Sequence, residues 1–313
     1  MTTHNRNSFG GIYAATITPM DRKGTISESD LARHIGAVAA CPGLTGLLVN
    51  GHAGENAALT RDEARRVLEI ARAEAREFKI VAGINAESTS AALDLAHDAK
   101  AAGADAILIF PPFSWALGMD RRAILAHHRV IHDAVDLPLM LFQASVGSGR
   151  MNFDDELMAK LLTLPKVVGI KEGSWEAARY EATLRLAKSI RPEVAVMASG
   201  DEHLMTCFTV GSEGSLVSLA AVIPELIVAL DAAVAKADLK QARAINDKIY
   251  PLARAVYAAA PGGLVSARLK ACLVMLGRIE AGFCKPPVGE LSRAELEALA
   301  VALRSAGLEP DLG

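Results

Sequence analysis

The chain has 313 residues, of which 51% are hydrophobic and 22% are charged, and its formal net charge is −3. These values are typical of a globular protein with a large core, and charges of both signs are interspersed, which argues against binding to nucleic acid or to an anionic membrane. No apolar run is long enough to cross a bilayer and residues 1–7 show no apolar signal region, so we expect a cytoplasmic protein.

Short apolar runs rich in β-branched residues recur at intervals of about thirty residues, close to the length of one βα unit. Continuous runs, rather than alternating ones, are typical of strands that are covered on both faces. The eight predicted strands are Tyr13–Pro19, Gly46–Asn50, Lys79–Ile84, Ala106–Phe110, Leu137–Gln143, Val167–Glu172, Ala195–Gly200 and Gly214–Leu219.

Amphipathic helix patterns lie between these runs, and some have clear start signals. Ser27 with Asp30 resembles a capping box, and Thr60 with Glu63 is a cleaner one. Repeated alternation of strand and helix predicts an α/β fold, the (β/α)8 TIM barrel. A doubly wound sheet is the alternative, but the near-equal units and the lack of a GxGxxG motif after the first strand argue against it.

Strand signals stop at about Pro224, and the rest of the chain has helical patterns. The last predicted helix is capped by Ser292 and Glu295 and closed by Gly307. We therefore predict a barrel that carries the active site at residues 1–224. Residues 225–313 would form the last barrel helix and a C-terminal helical extension.

Lys171 lies near the end of the sixth predicted strand, after an apolar run. Burying an ammonium group is costly, so the pKa of a lysine that points into a barrel should fall. A lysine with a lowered pKa is a nucleophile that can form an imine with a carbonyl substrate. The residue therefore indicates both a reaction class and a position in the fold.

Active sites in such barrels gather at the carboxyl ends of the strands. His52 follows the second strand there, and it is the best acid–base candidate because imidazole titrates near neutral pH. Asp201 could cap the next helix or touch substrate, and Gln143 could bind substrate hydroxyls. We expect no metal site, because His127, His128 and His132 fall on a helix and the cysteines show no CxxC spacing.

Several motifs extend over nearly the whole chain in a fixed order. They are Thr18-Pro19, Gly51-x-x-Gly54-Glu55, Ala102-Gly103-Ala104-Asp105-Ala106, Pro111-Pro112-Phe113, Leu137-Pro138, Val168-Gly169-Ile170-Lys171-Glu172, Ser199-Gly200-Asp201 and Gly211-x-x-Gly214-Ser215-Leu216-Val217-Ser218. In these motifs the chain resembles the dihydrodipicolinate synthase / N-acetylneuraminate lyase family of class I aldolases.

The resemblance implies a pyruvate-like 2-oxo acid that is bound as an imine to Lys171, without a cofactor. It also implies that backbone amides around His52 and Ala53 hold the substrate carboxylate, and that the protein is a homo-oligomer, a tetramer or a dimer. The predicted catalytic residues are Lys171 and His52. The predicted substrate-binding residues are Gly51, Ala53, Phe142, Gln143, Gly200 and Leu216.

Five family positions are not kept in this chain. His52-Ala53 stands where the family usually has two threonines, and Phe142 replaces the tyrosine that shuttles protons in imine chemistry. Ser114 replaces a second tyrosine, and Gly147 replaces the arginine that synthases use for the distal carboxylate of the second substrate. Phenylalanine has no proton to give, so the usual acid–base group is missing.

The sequence therefore favours a Schiff-base lyase, cleaving a carbon–carbon or carbon–oxygen bond, that acts as a dehydratase or aldolase on a 2-keto-3-deoxy acid. One alternative is an aldol condensation of the 4-hydroxy-tetrahydrodipicolinate synthase type with a rebuilt proton relay. The other is a catalytically silent barrel that binds 2-oxo acids. A shared fold does not by itself decide between them.

Overall fold

Eight parallel β-strands close into a barrel in the computed structural model, which describes residues 8–312. Each strand pairs with the next along the chain, and the eighth pairs with the first, with Tyr13 opposite Leu216. The predicted α/β fold, a (β/α)8 TIM barrel, is confirmed. Strands β1 to β8 are Gly11–Ala15, Leu44–Val49, Lys79–Ile84, Ala106–Ile109, Leu139–Gln143, Val167–Glu172, Ala195–Ala198 and Gly214–Val217.

Helices follow the strands and cover the outside of the barrel, and a C-terminal helical part follows, as predicted. The apolar side chains of strands and helices form one continuous core. Helices α1 to α11 are Glu28–Ala39, Arg61–Glu74, Thr89–Ala101, Arg121–Ala134, Asp155–Leu162, Ala177–Ile190, Leu204–Thr209, Pro224–Ala235, Leu239–Ala253, Val265–Met275 and Arg293–Ser305.

The start signals of the helices explain why they begin where they do. Thr60 accepts a hydrogen bond from the Glu63 N–H while the Glu63 carboxylate accepts from the Thr60 N–H, and α11 has the same reciprocal arrangement. In α1, Ser27 accepts from the Asp30 N–H, but the Asp30 carboxylate instead accepts from the N–H groups of Glu280 and Ala281. The predicted box at α1 is therefore only half formed, because Asp30 binds the extension.

The first strand is placed differently from the prediction of Tyr13–Pro19. It begins at Gly11 and ends at Ala15, so the apolar residue Ile17 lies after the strand, fully buried. An apolar run indicates burial and not strand pairing itself. Here the buried apolar residues extend beyond the last residue of the strand that pairs with a neighbour. Thr18 consequently belongs to the loop at the barrel mouth.

The extension packs on the same core as the barrel. Helix α9 continues into a π-helical turn, Arg254–Ala258, and Phe283 forms an isolated antiparallel bridge with Met20. The boundary at residue 224 between barrel and extension stays a prediction. Leu252, Leu269 and Leu299 of the extension belong to the same core as the barrel.

Among residues 8–312, no single helix has the length and apolar composition needed to cross a bilayer. One bent pair, Leu239–Ala258 with Gly262–Met275, meets the requirement by length and composition alone.

Candidate active site

A cavity of about 430 Å³ opens at the carboxyl ends of the strands, where the barrel fold predicts a site. Its wall combines loops that follow the strands with segments of the C-terminal extension. The side chains of this wall that carry the argument below are His52, Phe142, Lys171, Trp175, Ser199, Asp201, Ser218, Tyr257, Ser266 and Lys285.

Lys171 reaches this cavity from β6 and is only 7% exposed. Its Nζ lies 5.6 Å from the centre of the Phe110 ring and 5.5 Å from that of Phe142, so the ammonium group faces aromatic walls rather than water. Burial lowers its pKa to about 8, although the Asp201 carboxylate opposes that shift. At pH 7 roughly a tenth of the amine is therefore neutral, far more than for a lysine with the ordinary pKa of 10.5.

His52 lies among three phenylalanine rings. The centroid of its ring is 4.3 Å from that of Phe110 and 5.5 Å from those of Phe113 and Phe142. Burial, with a smaller contribution from the Lys171 charge, lowers its pKa to about 3. The imidazole is therefore neutral at physiological pH, which suits it to hydrogen bonding better than to the proton-transfer role predicted for it.

The loop around His52 is fixed by contacts from three directions. Thr18 Oγ1 donates to the Gly54 carbonyl at 3.0 Å, and Ser266 Oγ donates to the His52 carbonyl at 3.3 Å. The Glu55 carboxylate accepts from the buried Lys270 ammonium and, at 2.9 Å, from the Lys285 N–H. Glu55 therefore ties this loop to the C-terminal extension.

Asp201 is a buried carboxyl group in the same cavity, 4% exposed. Its Oδ1 accepts from the Leu219 N–H at 2.9 Å, so it spans the mouth between the loops after β7 and β8. Burial raises its pKa to about 7, although this bond and the Lys171 charge oppose the shift. Asp201 therefore lines the cavity, and its contact with substrate stays a prediction.

Tyr257 enters the cavity from the π-helical turn and was not predicted as a site residue. Its hydroxyl hydrogen-bonds with Ser218 Oγ, and its ring lies 5.4 Å from that of Trp175, centre to centre. A π-helical turn is common at functional sites because it widens the helix locally and redirects a side chain. No pattern in the sequence places this tyrosine opposite β7 and β8.

Three predicted substrate-binding residues are not part of the cavity wall formed by the described residues: Gly51, Gln143 and Gly200. Successive residues of a strand face opposite sides, so Gln143 points away from the side on which Phe142 lies. Its side-chain amide forms two hydrogen bonds with the backbone of Phe153, at 2.9 and 3.0 Å. The structure therefore does not place Gln143 at the cavity, and its predicted contact with substrate has no support there.

The two glycines shape the turns behind the wall. The Gly51 carbonyl accepts from the Gly54 N–H at 3.0 Å, and the Gly200 carbonyl accepts from the His203 N–H at 2.9 Å. The structure gathers the other predicted residues, Lys171, His52, Ala53, Phe142 and Leu216, around the cavity. No group of three or more histidine, cysteine or acidic side chains in the described part of the chain could hold a metal ion.

Comparison with known proteins agrees with this geometry. The chain is 30% identical over 307 residues to the 4-hydroxy-tetrahydrodipicolinate synthase of Acidiphilium cryptum, covering 96% of this chain and 99% of that protein. The structure matches the chloride-inhibited dihydrodipicolinate synthase of Acinetobacter baumannii, solved with pyruvate, with a TM-score of 0.84 and 26% identity over 96% and 99% of the two chains.

A dihydrodipicolinate synthase from Agrobacterium tumefaciens matches with a TM-score of 0.85 and 26% identity, covering 96% of this chain and 98% of that one. A model of the dihydrodipicolinate synthetase family matches residues 8–306. The family assignment thus extends over the barrel and most of the C-terminal helices. The chain belongs to the dihydrodipicolinate synthetase family.

Proposed function

We propose that the protein is a class I lyase in which Lys171 forms an imine with a 2-oxo acid. The observation that carries this proposal is the buried Lys171 amine, with its lowered pKa, at the wall of a cavity large enough for a small substrate. The family relatives are named as synthases of the same superfamily, which supports the reaction class. No cofactor is required by this chemistry.

The first chemical step is addition of the Lys171 amine to the keto carbon, C2. The new N–C2 bond forms as the π pair of the carbonyl moves to oxygen, and loss of that oxygen as water gives the iminium ion. The rings of Phe110 and Phe142 limit access of water to this nitrogen. We propose that backbone N–H groups at His52 and Ala53, which begin a 3₁₀ turn, hold the substrate carboxylate.

Within this class, the cavity favours a dehydratase or aldolase acting on a 2-keto-3-deoxy acid. The cavity wall formed by the described residues contains no arginine to bind a second carboxylate, and its other lysine, Lys285, is already paired with both oxygens of Glu63 at 2.6 and 2.7 Å. Instead the wall presents serine hydroxyl groups, which suit a hydroxylated substrate. Ser199 is one of them, and Ser218 and Ser266 keep acceptor capacity beside their bonds to the Tyr257 hydroxyl and the His52 carbonyl.

Both reactions follow from the same iminium ion. In aldol cleavage, the C4 hydroxyl loses its proton, the C3–C4 bond breaks, and its electron pair moves toward the iminium nitrogen to give an enamine. In dehydration, C3 loses a proton and the C4 hydroxyl then leaves as water. Neither step needs a second carboxylate on the substrate.

Condensation of the synthase type is the second candidate, since the curated relatives carry that name. We expect turnover of a 2-keto-3-deoxy sugar acid, with release of either pyruvate and an aldehyde or a dehydrated product. Product analysis by mass spectrometry on a panel of such acids, beside a reaction of pyruvate with aspartate semialdehyde, separates the candidates. Turnover in the condensation reaction alone would make condensation the first candidate and the dehydratase or aldolase the second. Thermal stabilisation by 2-oxo acids without any turnover would instead support a binding protein.

The pH dependence of imine formation gives a further test of Lys171. Because only the neutral amine adds to a carbonyl, the rate of reductive trapping with pyruvate and cyanoborohydride should rise with pH and level off near the lysine's pKa of about 8. In Asp201→Asn the inflection should move to lower pH, because the carboxylate that favours the ammonium form is gone. An inflection near 10.5, the value of an ordinary lysine, would contradict this assignment.

We also propose that the chain forms a homo-oligomer, a dimer or tetramer. Two loops at the barrel mouth expose apolar side chains that a partner subunit could cover. Leu117 is 94% exposed and Val146 is 45% exposed. These two exposed side chains support an interaction surface at this end of the barrel.

A further inference from the structure

Tyr257 and Asp201 line the same cavity as Lys171, at a site where the family's usual shuttle tyrosine is replaced by Phe142. The two groups come from different parts of the chain, the π-helical turn of the extension and the loop after β7. Both line the cavity that contains the lysine amine. Their common position raises the question of which protons they could move.

We propose that Tyr257 and Asp201 together form the proton relay of the Lys171 reaction, with Ser218 as a positioning residue. The inference rests on the proposed imine at Lys171. It assigns catalysis to a tyrosine of the C-terminal extension instead of one at the end of β5. The contacts of each group with its neighbours support this assignment.

The hydroxyl of Tyr257 is held by its hydrogen bond to Ser218 Oγ, and its ring packs against Trp175. The Asp201 carboxyl is held on one oxygen by the Leu219 N–H. Since Leu219 directly follows Ser218, a single stretch of backbone fixes both members of the relay. Asp201 also interacts electrostatically with the Lys171 amine and with the Tyr257 hydroxyl, so its charge is coupled to both groups.

The acid–base character of the pair suits a relay. Burial raises the pKa of Asp201 to about 7, so this carboxyl is present in both forms near neutral pH. Burial raises the pKa of Tyr257 well above its usual value, which disfavours a stored phenolate. Tyr257 therefore gives up one proton as it receives another, while Asp201 is the group that changes charge.

The protons balance over the two steps. After the amine adds to C2, the proton lost by nitrogen passes through Asp201 and Tyr257 to the former carbonyl oxygen. Protonated Asp201 then supplies, through Tyr257, the second proton that lets this oxygen leave as water. The Asp201 carboxylate recovers a proton when C3 of the iminium ion is deprotonated to give the enamine. No oxidant, reductant or further reactant is needed.

The decisive variant is Tyr257→Phe, which removes the hydroxyl and keeps the ring. In ²H₂O, the wild-type protein should exchange the C3 protons of pyruvate for deuterium, which is followed by loss of the methyl signal in proton NMR. We expect Tyr257→Phe and Asp201→Asn each to slow this exchange by about 10²–10⁴-fold. Prolonged borohydride trapping should still label Lys171 in both variants, which shows that the fold and the nucleophile are intact.

Tyr250→Phe is the matched control, because Tyr250 lies on the helix that leads into the same turn and is 48% exposed. Its exchange rate should equal that of the wild type. The relay would be overturned if the exchange rate in Tyr257→Phe were within about twofold of that of the wild type. It would also be overturned if Tyr250→Phe and Tyr257→Phe both lost the borohydride adduct on Lys171. If the wild type gave no adduct on Lys171, the proposed function itself would fail and the relay with it.

Discussion

Replacement of Lys171 by methionine is expected to abolish turnover. Without the amine no imine can form, and removal of a nucleophile that carries a covalent intermediate lowers kcat on the order of 10⁶-fold. Steady-state kinetics on the substrate identified by product analysis measures the loss. Residual turnover within about tenfold of the wild type would show that the reaction does not pass through this residue.

The fold should survive this change. Lys171 is 7% exposed in an aromatic pocket, and methionine is an unbranched apolar side chain of similar length. Removing a charge whose burial is unfavourable should leave the thermal midpoint unchanged or raise it. Lys160→Met is a suitable control, because Lys160 pairs with Glu156 on the surface of α5 and its loss should affect neither activity nor stability.

Among the substitutions proposed, replacement of Lys270 by methionine is expected to cause the largest loss in the free energy of unfolding. The Lys270 ammonium is fully buried, where it donates to the Glu55 carboxylate and, at 2.6 Å, to the Phe283 carbonyl. Removing one partner of a buried pair leaves an uncompensated charge, which costs about 3–5 kcal/mol of the free energy of unfolding. The midpoint of thermal unfolding, followed by circular dichroism, should fall by several degrees.

A double variant separates the charge from the packing. In Glu55→Gln combined with Lys270→Met, the buried carboxylate is gone while glutamine can still accept from the Lys285 N–H, so part of the lost stability should return. Lys248→Met, at an exposed position of α9, is the single-residue control and should leave the midpoint unchanged. A midpoint for Lys270→Met equal to that of Lys248→Met would contradict the structural role given to the pair.

The barrel could be predicted from the sequence because each strand is a short apolar run covered on both faces, a pattern that local composition shows directly. The position of Lys171 followed from the same reasoning, since its run ends at the mouth of the barrel. Gln143 follows Phe142 directly in β5, and the alternation of a strand puts the two side chains on opposite sides, so only Phe142 faces the cavity.

Tyr257 could not have been predicted as a site residue. It lies 86 positions after Lys171 in the chain numbering, within a helical segment whose register is altered by a π-helical turn. Only the packing of the extension on the barrel brings its hydroxyl to Ser218. Similarly, the low pKa of His52 depends on the phenylalanine rings of three different segments, which sequence order does not place together.

The most direct test of the account is borohydride trapping of the wild-type protein with pyruvate, followed by peptide mass spectrometry. We predict one reduced pyruvate adduct, located on the peptide that contains Lys171, and no adduct at this level in Lys171→Met. A trapped adduct on another lysine, or no adduct under conditions in which a known class I aldolase is labelled, would contradict the central claim that Lys171 is the imine-forming nucleophile.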